Sequence, residues 1–128
     1  MHKIFLIIGT VLGGLAVALG AFGAHGLKKL VNAETVASYQ TGVQYQLYHA
    51  LALLVIGLLA ERMSNSFINY AGFLFIGGIV FFSGSLYLLA SFRAMNKLVP
   101  SFIYPITPLG GLLFILGWIM LLIAIVKK

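Results

Sequence analysis

Two histidines and a set of hydroxyl-bearing side chains are the residues of this chain best suited to chemistry. A histidine changes its charge near neutral pH, and a hydroxyl group both donates and accepts hydrogen bonds. A cluster of such groups inside an apolar protein would hold a small molecule, a lipid headgroup or an ion. The candidate residues are His25, Tyr45, Tyr48, His49, Ser83, Ser85 and Thr107.

Other kinds of chemistry lack the residues they need. The chain contains no cysteine, which excludes disulfides, thiol catalysis, iron–sulfur clusters and zinc–thiolate sites. Its two acidic residues, Glu34 and Glu61, lie outside the apolar stretches. A histidine base would therefore have no carboxylate to orient it, and two histidines alone make a poor metal site. We expect no catalytic residues, no metal and no cofactor.

The elements that position these residues follow from the composition. Hydrophobic residues make up 62% of the 128 residues and charged residues only 8%, whereas soluble domains carry about a quarter charged residues. A spanning helix needs roughly 20 apolar residues, and charges divide this chain into four stretches of that length. We predict an all-α integral membrane bundle of four transmembrane helices, forming a single domain over residues 1–128. The predicted spans are Ile4–Ala24, Val43–Ala60, Phe67–Phe92 and Ile106–Val126.

Capping signals locate two further helix starts. Asn32 is a good N-cap for a helix that begins at Ala33. If that helix ran on to the second span it would exceed the hydrocarbon thickness, so residues 33–41 either protrude from the bilayer or bend near Gly42. Thr107 as N-cap and Pro108 as first helical residue predict the start of the fourth helix.

The candidate residues fall on one side of the predicted bundle. Because successive helices alternate in direction, all of them belong to the half that holds the first and third loops. Polar side chains turned to lipid would lack partners, so we predict that His25, Tyr45, His49 and Ser85 approach one another in one pocket near that membrane face. Three interpretations stay open: a structural network between helices, a ligand site, and catalysis, which the missing carboxylates disfavour.

Small residues form a stripe on the first span. They are spaced four, three, four and three residues apart and therefore share one face of the helix. Lipid offers no hydrophobic drive for helix pairing, so close backbone approach over small residues takes its place. We predict that this face packs against another helix. Its members are Gly9, Gly13, Ala16, Gly20 and Gly23.

The net charge of +6 points to membrane anchoring. The basic residues stand singly or in pairs beside the apolar runs, as anchors at a membrane surface do, and no basic stripe suggests nucleic acid. We expect membrane lipids as partners, assembly into a homo-oligomer, and no nucleic acid. Four basic residues lie on each side of the predicted bundle, so the positive-inside rule assigns no orientation.

Four motifs in order resemble a known family. They are the segments 20–26 (GAFGAHG), 45–52 (YQLYHALA), 82–87 (FSGSLY) and 105–111 (PITPLGG). Together they resemble domain of unknown function 423, small four-span membrane proteins that include the animal transmembrane protein 256. The resemblance covers essentially the whole chain and implies a four-helix bundle, in bacteria a plasma-membrane protein, with no established activity.

The residues and the resemblance together favour one function and leave another open. The favoured hypothesis is a non-enzymatic membrane protein whose polar pocket binds a lipid, a small solute or a partner. The alternative is a small oligomeric transporter or channel. Confinement of the polar residues to one half of the bundle disfavours a simple pore.

Overall fold

The computed structural model describes residues 2–63 and 65–127, which form four long helices and no strand. Each helix is long and apolar enough to cross a membrane, so the predicted all-α fold with four spans is confirmed. A short 3-10 turn, Leu27–Lys29, follows the first helix. The four helices are α1 (His2–Ala24), α2 (Ala33–Leu59), α3 (Phe67–Ala94) and α4 (Ile103–Val126).

Helix α2 runs unbroken through Gly42. The predicted cap is confirmed, since the Asn32 side chain accepts a hydrogen bond from the backbone N–H of Thr35 at 2.8 Å. Gly42 is buried, and a Cβ there would lie 3.3 Å from Leu86 Cβ; this glycine therefore allows α3 to come close without ending the helix. At ~1.5 Å per residue α2 is about 40 Å long and exceeds the ~30 Å hydrocarbon core.

Helix α4 begins earlier than its sequence predicts. The helix starts at Ile103, with Phe102 at the cap position and no side-chain cap, so the prediction of Thr107 as N-cap was wrong. Pro105 lies in the first turn, where backbone N–H groups have no helical partner and proline is tolerated. Pro108 then lies inside the helix.

The helices pack as two hairpins, α1 with α2 and α3 with α4, joined through α2 and α3. The main core lies toward the terminal side of the bundle, where Phe5, Leu53, Ile56 and Phe75 are fully buried. The lipid-facing sides of α1 and α4 carry exposed aliphatic side chains. The hairpin junction therefore brings α2, α3 and α4 together in the middle of the fold.

A π-helical segment, Ile79–Ser83, interrupts α3 at that junction. The Ser83 hydroxyl donates to the Gly42 carbonyl of α2 at 2.6 Å. On the other side Gly110 of α4 lies so close that a Cβ would collide with the backbone of Phe82. The irregular turn thus lies where α3 touches both neighbours, and π segments often mark functional sites.

Candidate functional site

The small-residue face of α1 lies against α2. A Cβ at Gly9 would lie 2.9 Å from the carbonyl oxygen of Ala50, and one at Gly20 would lie 3.2 Å from Val43 Cγ1. Gly13 is packed more loosely, with its nearest neighbour at 4.0 Å. The stripe that meets α2 consists of Gly9, Gly13, Ala16, Gly20 and Gly23.

Polar side chains of α2 reach across to the α1 backbone. The buried amide of Gln46 donates to the Leu12 carbonyl at 2.8 Å and accepts from the Tyr87 hydroxyl at 2.6 Å. Because the backbones of α1 and α2 lie close together, side chains of α2 can bond to carbonyl groups of α1. Each amide or hydroxyl thereby gains a partner that lipid cannot supply. Two further donors to α1 carbonyls are Tyr39, to Leu19 at 2.7 Å, and Gln40, to Gly20 at 3.2 Å.

His49 forms hydrogen bonds with both ring nitrogens. The indole N–H of Trp118 donates to His49 Nε2 at 3.0 Å, and His49 Nδ1 lies 2.7 Å from the Tyr45 carbonyl oxygen. An indole nitrogen only donates and a carbonyl oxygen only accepts. Nε2 must therefore carry the lone pair and Nδ1 the proton, which fixes the neutral imidazole in one tautomer.

Aromatic rings surround His49. Its ring stacks on Phe114 of α4 with centroids 3.7 Å apart and planes within 10°. It meets the Phe75 ring of α3 edge-on at 5.1 Å, and Trp118 lies 4.9 Å from that same ring. This cluster ties α2, α3 and α4 together through side chains.

An open groove of about 600 Å³ borders this cluster between α2 and α4. Tyr45 and His49 line it from α2, Phe82 of the π segment lines it from α3, and α4 supplies the remaining wall. From Pro108 to Trp118 the groove follows α4 for about 15 Å at ~1.5 Å per residue. The α4 residues that line it are Pro108, Gly111, Leu112, Phe114, Ile115 and Trp118.

The groove lies about halfway along the helices that line it. Arg93 donates to the Thr35 hydroxyl at 2.9 Å, and a charged side chain near a helix end marks the membrane boundary. Tyr45 and His49 lie on α2 about 15 and 21 Å below Thr35 at ~1.5 Å per residue. Both residues therefore lie near the middle of α2, which is about 40 Å long.

Three of the candidate residues bond between or within helices and do not line the groove. Ser83 bonds to α2 as described above. The Ser85 hydroxyl donates to the Phe82 carbonyl at 2.8 Å and also bonds to the Thr107 hydroxyl. Since Ser85 has one proton, Thr107 is the donor in the second bond. These contacts hold α3 to α2 and α4.

The structure does not bring His25 to His49. His25 lies just beyond α1, is exposed, and bonds through Nδ1 to the Ala21 carbonyl at 2.9 Å. Its neighbour Gly23 packs against Tyr39 and Gln40, about ten residues before His49 on α2, so the two histidines are separated by roughly 15 to 20 Å along the helix axes. The predicted single pocket assumed that His25 and His49 lie at the same level of the bundle. The packing of α1 on α2 places them at different levels, so they do not share a pocket.

Tyr48 lies beside the groove. It is half exposed, and its ring centroid is 6.0 Å from that of Tyr45, but it does not belong to the groove lining. Of the candidate residues, the structure therefore leaves Tyr45 and His49 at the groove.

The α4 wall of the groove was missed by sequence reasoning. A signal was present, because Pro108, Gly111, Ile115 and Trp118 are spaced three or four residues apart and share one helix face. Trp118 also lies too far inside the fourth span to be an interface aromatic, which indicates a contact with another helix. Over residues 2–63 and 65–127 no three His, Cys, Asp or Glu side chains form a group that could hold a metal ion.

Comparisons with known proteins give a family. Residues 19–111 match the family model described as "Protein of unknown function (DUF423)". The UPF0382 membrane protein YwdK of Bacillus subtilis is 46% identical over 126 residues, which is 98% of each chain. A UPF0382 membrane protein of Staphylococcus saprophyticus is 44% identical over 98% of each chain. Comparison with solved structures gives no match.

Proposed function

The chain belongs to the DUF423 family of proteins of unknown function, and from that premise we propose that it binds one small amphipathic molecule in the groove between α2 and α4. It is a non-enzymatic protein of the bacterial plasma membrane. The observation that carries the proposal is a groove of about 600 Å³ with Tyr45, His49 and Trp118 along it, near the middle of α2 and α4.

Polar groups at that position favour binding over simple packing. Hydrocarbon lipid tails satisfy no hydrogen bond, and polar groups kept inside a span mark functional sites more often than chance. The other polar side chains between helices, such as Gln46 and Ser83, lie in close-packed contacts. At the groove, polar side chains border open space.

The hydrogen bonds of His49 argue against catalysis. Both nitrogens are engaged, so neither is free to take a proton from a substrate. Neither acidic residue lines the groove. Binding needs only the shape and the hydrogen-bonding edge that the groove offers.

Helical spans support the plasma membrane as the location. Bacterial outer-membrane proteins span as β-barrels, whereas this chain has four candidate helical spans. The bacterial relatives are named membrane proteins.

Tryptophan fluorescence tests the proposal. Trp118 is the only tryptophan of the chain and lines the groove, so its emission reports occupancy. We expect saturable quenching in detergent micelles by at least one of two amphiphiles: decyl-1,4-benzoquinone, and a monoacylglycerol with two bromine atoms on its chain. Linear, unsaturable quenching by both would refute the proposal.

Two leucine substitutions localise the binding. Gly111 lines the groove and a Cβ there meets nothing closer than Phe82 Cδ1 at 3.9 Å, so Gly111→Leu adds a side chain at the groove without a clash at its Cβ. Gly14 of α1 has nothing within 4 Å and lies outside the groove. We expect Gly111→Leu to abolish saturable quenching and Gly14→Leu to preserve it; equal behaviour of the two variants would also refute the proposal.

A further inference from the structure

The Tyr45 hydroxyl is the groove's unused hydrogen-bonding group. Within residues 2–63 and 65–127 the structure gives it no hydrogen-bond partner, whereas both nitrogens of His49 and the indole nitrogen of Trp118 have one. The Tyr45 ring is held in place by Phe82, with centroids 4.7 Å apart. A hydroxyl without a partner in hydrocarbon costs free energy, so an occupant that bonds to it is favoured over one that does not.

The described lining of the groove is uncharged. Among residues 2–63 and 65–127 no Asp, Glu, Lys or Arg lines it, and the neutral tautomer of His49 leaves no net charge there. An ionic headgroup drawn into this groove would stay unpaired and costly. The occupant is therefore neutral.

Ring surfaces make up much of the wall. Tyr45 and Trp118 are 38% and 47% exposed, so each keeps free ring surface beside the groove. Aromatic rings favour offset or edge-on contact with another ring. An acyl chain would pack equally well against aliphatic side chains and needs no aromatic wall. The exposed rings therefore favour an occupant that itself contains a flat ring.

We propose that the ligand of this groove is a neutral molecule with a flat ring that bears a carbonyl or hydroxyl oxygen and an apolar tail. This inference rests on the proposed function. The ring lies between Tyr45 and Trp118, its oxygen bonds to the Tyr45 hydroxyl, and its tail extends into lipid through the open side of the groove. Quinones and alkylphenols share this chemistry.

Three probes, two of them with the same decyl tail, test the class of ligand. Decyl-1,4-benzoquinone supplies the ring and the oxygen, decylbenzene the ring alone, and the dibrominated monoacylglycerol a chain without a ring. Decylbenzene is measured by its relief of quinone quenching of Trp118. We expect the quinone to bind about three- to tenfold more tightly than decylbenzene, the worth of one hydrogen bond, and more tightly than the monoacylglycerol.

Removal of one hydroxyl tests the contact. Tyr45→Phe keeps the ring that packs on Phe82. We expect this substitution to lower the affinity for the quinone about three- to tenfold and to leave the affinity for decylbenzene unchanged. Tyr48→Phe is the matched control, because Tyr48 lies beside Tyr45 but outside the groove lining. 4-Decylphenol in place of the quinone distinguishes a hydroxyl from a carbonyl ligand.

The outcomes separate this inference from the proposed function. Saturable binding of the monoacylglycerol with none of the quinone would overturn the ring-bearing ligand and leave the groove as a binding site. Equal affinity of the quinone for wild type and Tyr45→Phe would overturn it as well. Absence of saturable quenching of wild-type Trp118 by both the quinone and the monoacylglycerol would remove the proposed function itself.

Discussion

The α1–α2 interface and the α2–α4 side both place polar side chains of α2 between helices, but with different neighbours. Between α1 and α2, glycines bring the backbones together, and Gln46 spans the short gap to a carbonyl. Between α2 and α4 the bridge is made by large rings, His49 stacked on Phe114 and bonded to Trp118. Large bridging rings hold two helices apart, and a groove remains beside them.

The size of the neighbouring residues therefore decides whether a polar side chain of α2 bonds to a nearby backbone or borders open space. A polar group beside glycine meets backbone and is satisfied by it, as with Gln46. A polar group beside rings meets other side chains and borders space, as with Tyr45. Substitutions that alter either the α1–α2 interface or the α2–α4 side, and leave the other unchanged, test this difference.

The largest effect is expected where the backbones are closest. Gly9→Leu places a side chain where even a Cβ would lie 2.9 Å from the Ala50 carbonyl, which forces α1 away from α2. We expect a loss of about 3 kcal/mol in the free energy of unfolding, measured by SDS titration in mixed micelles. Gly14→Leu, on the open side of the same helix, should stay near wild type. Equal stability of the two variants would contradict close packing of α1 on α2.

A smaller loss is expected from the buried amide. Gln46→Leu removes the bond to the Leu12 carbonyl and leaves the Tyr87 hydroxyl without its acceptor. Two such bonds in a membrane protein are worth about 2 kcal/mol in total. The exposed Gln44 is two residues away on the same helix, so Gln44→Leu is the control and should change the free energy of unfolding little. If Gln44→Leu lowered the free energy of unfolding more than Gln46→Leu, the hydrogen bonds of Gln46 would not be what stabilises the bundle here.

The His49–Trp118 bond should contribute about 1 kcal/mol. Trp118→Phe keeps a ring beside Phe75 and removes the indole donor. We expect a double-mutant cycle of Trp118→Phe with His49→Leu to give a coupling free energy near that value. Additive losses would show that packing alone joins α2 and α4.

The sequence predicts the parts of this fold that depend on local pattern. Apolar length gives the four spans, and Asn32 gives the start of α2. The start of α4 was placed too late, because Pro105 and Pro108 both suit a first turn, and the structure places Pro105 in that turn and Pro108 inside the helix. The π segment at Phe82 has no local signal, since it arises where α3 meets two helices.

The candidate site is predictable only in part for the same reason. Tyr45 and His49 are recognisable as polar residues inside a span, but their neighbours on α4 depend on how the hairpins dock. His25 has the same residue type as His49 and a different environment, because helix register sets which level of α2 it meets. Residue type identifies candidates, and packing selects among them.

The smallest effect is expected from Gly111→Ala, and the adjacent glycine of α4, Gly110, serves as its comparison. A Cβ at Gly110 would collide with the backbone of Phe82, whereas one at Gly111 points into the groove, 3.9 Å from the Phe82 ring. Alanine is the better helix former, so we expect Gly111→Ala to raise the free energy of unfolding by about 0.5 kcal/mol. Gly110→Ala should lower it by about 1–3 kcal/mol, because backbone has to move. If both variants lose stability alike, the groove beside Gly111 is closed by packing, and the difference between the two sides of α2 disappears.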